Sequence, residues 1–117
     1  VIKMQQLDCL GTDYNGITDI SLEALRQFKD KELIAVKVHG GDNTMDIMCS
    51  FIFGDDTFYQ ASGFSVGYGG TGPHGLYRAI QVFHPDAFES FDASQIACLS
   101  PKCNWSWTPK YGFEETV

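Results

Sequence analysis

The spacing of apolar residues divides the chain into a short helical stretch, a strand-rich middle, a second helix and an aromatic tail. Leu22, Leu25 and Phe28 fall on one helical stripe in "LEALRQFKD", with Ser21 as N-cap and Glu23 in the first turn, which predicts a helix near 22–29. The period then changes to two. "LIAVKVH" sets Ile34, Val36 and Val38 against Leu33, Ala35 and Lys37, and "MDIMCSFIF" puts Met45, Ile47, Cys49, Phe51 and Phe53 on one face. "GGDNT" and "GDD" are turn chemistry, and they lead into a third strand in "TFYQASGFSV", where Gly63 marks a bulge or a close approach of backbone. Connections this short join successive strands as hairpins. Leu76, Ala79, Ile80 and Phe83 then recur at i, i+3, i+4 and i+7, predicting a helix near 74–84 with Pro73 in its first turn and Thr71 or Gly72 as cap.

The remaining segments are less patterned. "IKMQQLDCL" is a first-strand candidate with poor alternation, and "GTDYNGITDIS" reads as loop. "DAFESF" suggests one further helical turn, "CNWSWT" a short strand, and the rest of the tail looks irregular. The expectation is an α+β fold in a single domain, 1–117: an antiparallel meander of at least three strands across 33–66, packed on one face by two helices. Leu25, Phe28, Val36, Val38, Ile47, Cys49, Phe51, Leu76, Ile80 and Phe83 are the expected core.

Charge narrows the functional classes. The formal net charge is −7, and eight Lys and Arg are spread over 117 residues without forming a basic patch, which argues against a nucleic-acid partner. No apolar run approaches the ~18 residues that a membrane helix needs, so no membrane partner is expected. No leader-like segment opens the sequence, and its start at Val1 in place of methionine is read as trimming. Cys9, Cys49, Cys98 and Cys103 lack the dense spacing of a secreted disulfide framework and are expected to be reduced, in a cytoplasmic protein.

Candidate chemistry centres on "GYGGTGPHG", residues 67–75, which follows a strand and opens a helix. In that context glycine-rich backbone amides and the positive end of a helix cradle anions. The candidate ligand-binding residues are Tyr68, Gly69, Gly70, Gly72, His74 and Gly75, with amides around Gly70, Gly72, His74 and Gly75 as donors and Tyr68 and His74 as walls. The spacing is neither that of a P-loop nor that of a dinucleotide fingerprint, and no lysine follows. The competing reading is a tight corner whose glycines let backbone pack under Tyr68.

Other constellations are weaker. Asp13, Asn15 and Gly16 match three positions of a calcium loop, but Gly11 and Leu22 stand where ligands are needed. Cys98 and Cys103 have no second close pair to complete a zinc site with His39, His74 or His84, so no metal or cofactor is expected. No nucleophile motif appears, and no catalytic residue is assigned. Trp105 and Trp107 alternate in the tail with Tyr111 and Phe113 beyond. These four read as core or as a protein interface, and sixteen aromatic residues in so small a chain suggest a homodimer.

Residues 64–80, "FSVGYGGTGPHGLYRAI", resemble a segment of a family of small uncharacterised proteins from bacteria, phages and plasmids. Phe64, Gly67, Tyr68, Gly69, Gly70, Gly72, Pro73, Leu76, Ala79 and Ile80 stand at the matching positions, with Val66 where the family commonly has tryptophan. The resemblance implies a reused strand–glycine loop–helix module on mobile DNA, and small binding or inhibitory proteins rather than metabolic enzymes. The expected function is a non-enzymatic binding protein taking a small anionic or nucleotide-like ligand at 67–75. The alternatives are an acidic module that binds or inhibits a protein partner and, third, a small hydrolase or transferase.

Overall fold

A computed structural model describes residues 6–43, 46–86 and 93–116. The fold is α+β. Six strands form one mixed sheet: β1 (Asp8–Thr12), β2 (Leu33–His39), β3 (Met48–Phe53), β4 (Thr57–Ala61), β5 (Asn104–Thr108) and β6 (Gly112–Thr116), in spatial order β1-β4-β3-β2-β5-β6. The helices among the described residues are α1 (Thr18–Arg26), α2 (Thr71–Phe83) and α3 (Ala93–Cys98).

The expected three-strand meander is the middle of this sheet: β2, β3 and β4 are consecutive antiparallel neighbours. The sheet as a whole differs from a meander in two ways. The β5–β6 hairpin adds to the far side of β2, and β1 inserts beside β4 in parallel. Two antiparallel steps separate β2 from β4, so β1, β2 and β4 all point the same way. Their carboxyl ends therefore share one end of the sheet, and α1 and α2 start there.

The core lies between the sheet and the three helices. Leu22, Leu25, Leu76, Ile80 and Ile96 pack on Val36, Val38, Cys49, Phe51, Phe53 and Trp107. Phe28 and Phe83 are only partly buried at its rim, where each ring tilts against Phe53. Burial pushes the Cys49 thiol up to about 12, so it acts as a packing group. Trp107 is inside this core with its ring against His84, Trp105 and Phe113 pack on its edge, and Tyr111 is exposed.

Several boundaries shift. α1 begins at Thr18 with Ile17 as its N-cap residue, not at Leu22, so Ser21 lies inside the helix and is fully buried. α2 begins at Thr71 with Gly70 at the cap. Among the described residues the first strand runs over Asp8–Thr12, which includes part of the segment read as loop, and residues 2–5 of the expected strand lie outside the described residues. α3 and β6 fall in stretches without clear periodicity. Met45 and most of "DAFESF" lie outside the described residues.

The face of the sheet away from the helices carries Ala35, Ile52 and Phe58 and, beside them, a hydrogen-bonded row. Thr12 donates to Gln60 Oε1 at 3.0 Å, Gln60 Nε2 reaches Ser50 Oγ at 3.5 Å, and Ser50 Oγ meets His39 Nε2 at 3.0 Å. Burial, and then the nearby Lys37 charge, hold His39 below the ordinary histidine value of 6.5.

Candidate functional site

Two strand-to-helix turns meet where β1 and β4 end side by side. In open, mostly parallel sheets ligands bind in the crevice beyond the carboxyl ends of the strands, and β1–β4 is the parallel pair of this mixed sheet. The first turn, 13–17, is built on Asp13. Its carboxylate accepts from Ser62 N at 2.9 Å, Ser62 Oγ at 2.6 Å, Ser21 Oγ at 3.0 Å and Tyr59 Oη at 3.1 Å, tying the β1–α1 turn to the β4–α2 turn. Ser21 Oγ also accepts from Gly63 N at 3.0 Å, and Thr18 Oγ1 donates to Gly63 O at 2.6 Å. Burial, and then the Asp13 charge beside it, push the Tyr59 phenol up to about 12. Asn15 Oδ1 accepts from Ile17 N at 2.7 Å, so the Asp/Asn/Gly composition that suggested a calcium loop is accounted for by hydrogen bonding within the turn.

The second turn, 62–70, is shaped by close packing. A side chain at Gly63 would stand 2.5 Å from the carbonyl oxygen of Ile17 and 2.6 Å from Ser21 Oγ. Gly67 adopts φ +90° against Pro101 and donates its N–H to Ile96 O, anchoring the loop to α3. The Tyr68 ring folds back over the helix start: a Cβ on Gly70 would meet it at 2.4 Å, and one on Gly72 would meet its hydroxyl at 2.7 Å.

The six expected ligand residues therefore separate. Tyr68, Gly69, Gly70 and His74 line a cleft of about 720 Å³ between the start of α2 and α3, together with Thr71, Pro73, Ala93, Ser94 and Ala97. Gly72 lines a second cleft, of about 390 Å³, on the other side of Tyr68. Gly75 is buried, its Cα facing Thr18 Cγ2 and Phe64, where it lets α2 approach α1. The His74 N–H is already committed to Gly70 O at 3.1 Å, so the helix-start donors by position are Thr71 and Gly72 rather than His74 and Gly75. The His74 side chain is exposed, its ring 6.2 Å from that of Tyr77.

The other two histidines have local partners, His39 on Ser50 and His84 Nε2 on Leu33 O at 2.8 Å. Sequence reasoning missed Asp13 as the organiser of this end. Its signal is an acid directly after a strand, which becomes informative only once β1 is known to lie beside β4. Comparison with protein-family models, curated proteins and solved structures finds no match to this chain.

Proposed function

We propose that the chain is a non-enzymatic binding protein that takes a small nucleotide-like anion in the cleft between α2 and α3. One observation carries the reading: a concave, largely apolar site of about 720 Å³ opens at the first turn of a helix, and among the described residues no carboxylate lines it. Sites for small ligands have this composition, apolar walls with a few convergent polar groups. The exposed Tyr68 ring offers a stacking face for a base. The positive end of α2 at Thr71 offers a place for phosphate, and His74 and Ser94 complete the rim. Arg78 is one turn below His74 and also exposed, which adds a cation on that side of α2. The net charge of −7 keeps the affinity modest. The likeness of residues 64–80 to small proteins of bacteria, phages and plasmids fits a binding or inhibitory protein carried on mobile DNA.

The test is a calorimetric titration of the full chain with inorganic phosphate, AMP and a cyclic dinucleotide at pH 6 and pH 8. Saturable binding of a nucleotide supports the reading. Ala97→Trp should remove the binding by filling the cleft, and His74→Ala should weaken it. The absence of heat with all three compounds at both pH values would overturn it.

A further inference from the structure

The cleft on the other side of Tyr68 has the opposite character. Among the described residues, six large apolar side chains are exposed, and four of them lie at this end of the sheet: Tyr14, Ile17 and Tyr68 in the two turns and Ile20 at the start of α1. Tyr14 is 82 % exposed and Ile17 50 %. Ile17 and Tyr68 line the 390 Å³ cleft itself. Tyr14 precedes Ile17 by three residues and Ile20 follows it by three, in the first turn of α1. The backbone beneath them is pinned through Asp13 and Asn15, so these side chains are held outward rather than left free to fold in. Apolar exposure gathered around a concave floor marks an interaction site, whereas scattered single residues do not.

Charge states which partner fits. Asp19 lines the cleft, and among the described residues no Lys, Arg or His does. Asp13 lies directly behind Ser62, and the hydrogen bonds it accepts come from hydroxyls and a backbone amide, all neutral donors. The ion pairs among the described residues are Arg26–Glu23 and Lys31–Asp55, elsewhere on the surface. Two helix starts face the cleft, each worth roughly half a positive charge, and two full carboxylate charges outweigh them. The floor is therefore net negative and its rim apolar.

We propose that this end of the molecule docks a protein partner through an arginine or lysine flanked by apolar side chains. The cationic head lies toward Asp19, its stem crosses the Tyr68 ring, and the flanking residues cover Tyr14, Ile17 and Ile20. This surface shares Tyr68 and Thr71 with the anion cleft but is selected by the opposite charge, and Ile17, Asp19, Ser62 and Gly63 on one side and His74, Ala93 and Ala97 on the other tell the two apart.

The experiment is a titration of the ¹⁵N-labelled full chain, followed by amide shifts, with three probes: acetyl-Ile-Arg-Phe-amide, acetyl-Ile-Glu-Phe-amide and arginine amide. The arginine peptide should move Gly16, Ile17, Ser62, Gly63 and Thr71 saturably while leaving Ala93 and Ala97 in place, and the glutamate peptide should not bind. Asp19→Asn, with a spectrum otherwise unchanged, should weaken the arginine peptide about fivefold, the size of one exposed charge pair. Ile17→Ser should weaken it without altering its dependence on salt. The proposal is overturned by no saturable shift, by equal binding of the glutamate peptide, or by unchanged affinity in Asp19→Asn. Arginine amide binding as tightly as the peptide would also overturn it, since that describes a pocket for a small cation and not a docking surface.

Discussion

The turns after β1 and after β4 do the same geometric job by opposite means. Both lead from a strand into a helix, and they lie side by side because β1 and β4 are parallel neighbours. The β1–α1 turn is held by what its side chains add: one carboxylate gathers hydrogen bonds from Ser21, Tyr59 and Ser62. The β4–α2 turn is held by what its side chains leave out, since Gly63, Gly70, Gly72 and Gly75 each face an atom that a Cβ would strike. A polar clamp fails when its acceptor is removed. A steric fit fails when a methyl group is added, and only where the neighbour cannot give way.

The sharpest way to break the comparison is Asp13→Ala. It removes the shared acceptor from the Ser62 amide and three hydroxyls, all part-buried, and should cost about 3 kcal/mol of unfolding free energy in urea. Asp13→Asn, which keeps an acceptor, should cost clearly less. A change below ~1 kcal/mol for Asp13→Ala would mean that water takes over the clamp.

The steric turn predicts a contrast between two chemically identical substitutions. Gly63→Ala drives a Cβ into the carbonyl of Ile17, which is backbone, and should cost about 2 kcal/mol. Gly70→Ala meets first the ring of Tyr68, a side chain 41 % exposed rather than backbone, and should cost under ~1 kcal/mol. Displacing that ring alters both clefts, so Gly70→Ala should change ligand binding more than stability. Equal costs for the two would show that Tyr68 is as immobile as backbone.

The smallest effect is expected from the far face of the sheet and leaves both turns untouched. His39 is held below its ordinary value of 6.5 by burial and by Lys37, with Ser50 as its hydrogen-bond partner. The unfolded chain then binds more protons than the folded one as pH falls below about 6.5, so stability present above that pH is lost on acidification. A thermal melt series from pH 7.5 to pH 5 should show this decline, and His39→Gln should flatten it. Asp55, held low mainly by its bonds to Lys31 and Thr57, contributes only in a more acidic window.

Much of the architecture was legible in the order of the residues. The alternation in 47–53, the stripe Leu76, Ala79, Ile80 and Phe83, and the Trp105/Trp107 pair each reflect a buried face with a fixed period; in 33–39 the period breaks, because a register shift between Leu33 and Ala35 sets Leu33, not Ile34, with Val36 and Val38 and leaves Ile34 on the opposite face. Such periods are local and survive in a single sequence. The start of α1 was misplaced because Ser21 resembles an N-cap, whereas its hydroxyl is directed across space to Asp13 and Gly63. β6 was missed because "GFEET" at a sheet edge needs no apolar alternation.

The sequence by itself determined the fold class, the strands of the central meander, the apolar faces and the strand–glycine loop–helix module at 57–83. Only the tertiary structure decided that β1 lies parallel to β4, and everything at the candidate site depends on that pairing. Asp13 became a clamp, and the six expected loop residues separated around Tyr68. The physical reason is range: periodicity records which face of an element is buried, whereas hydrogen bonds between residues 13 and 62, or a Cβ striking a carbonyl 46 positions away, exist only after distant segments have met.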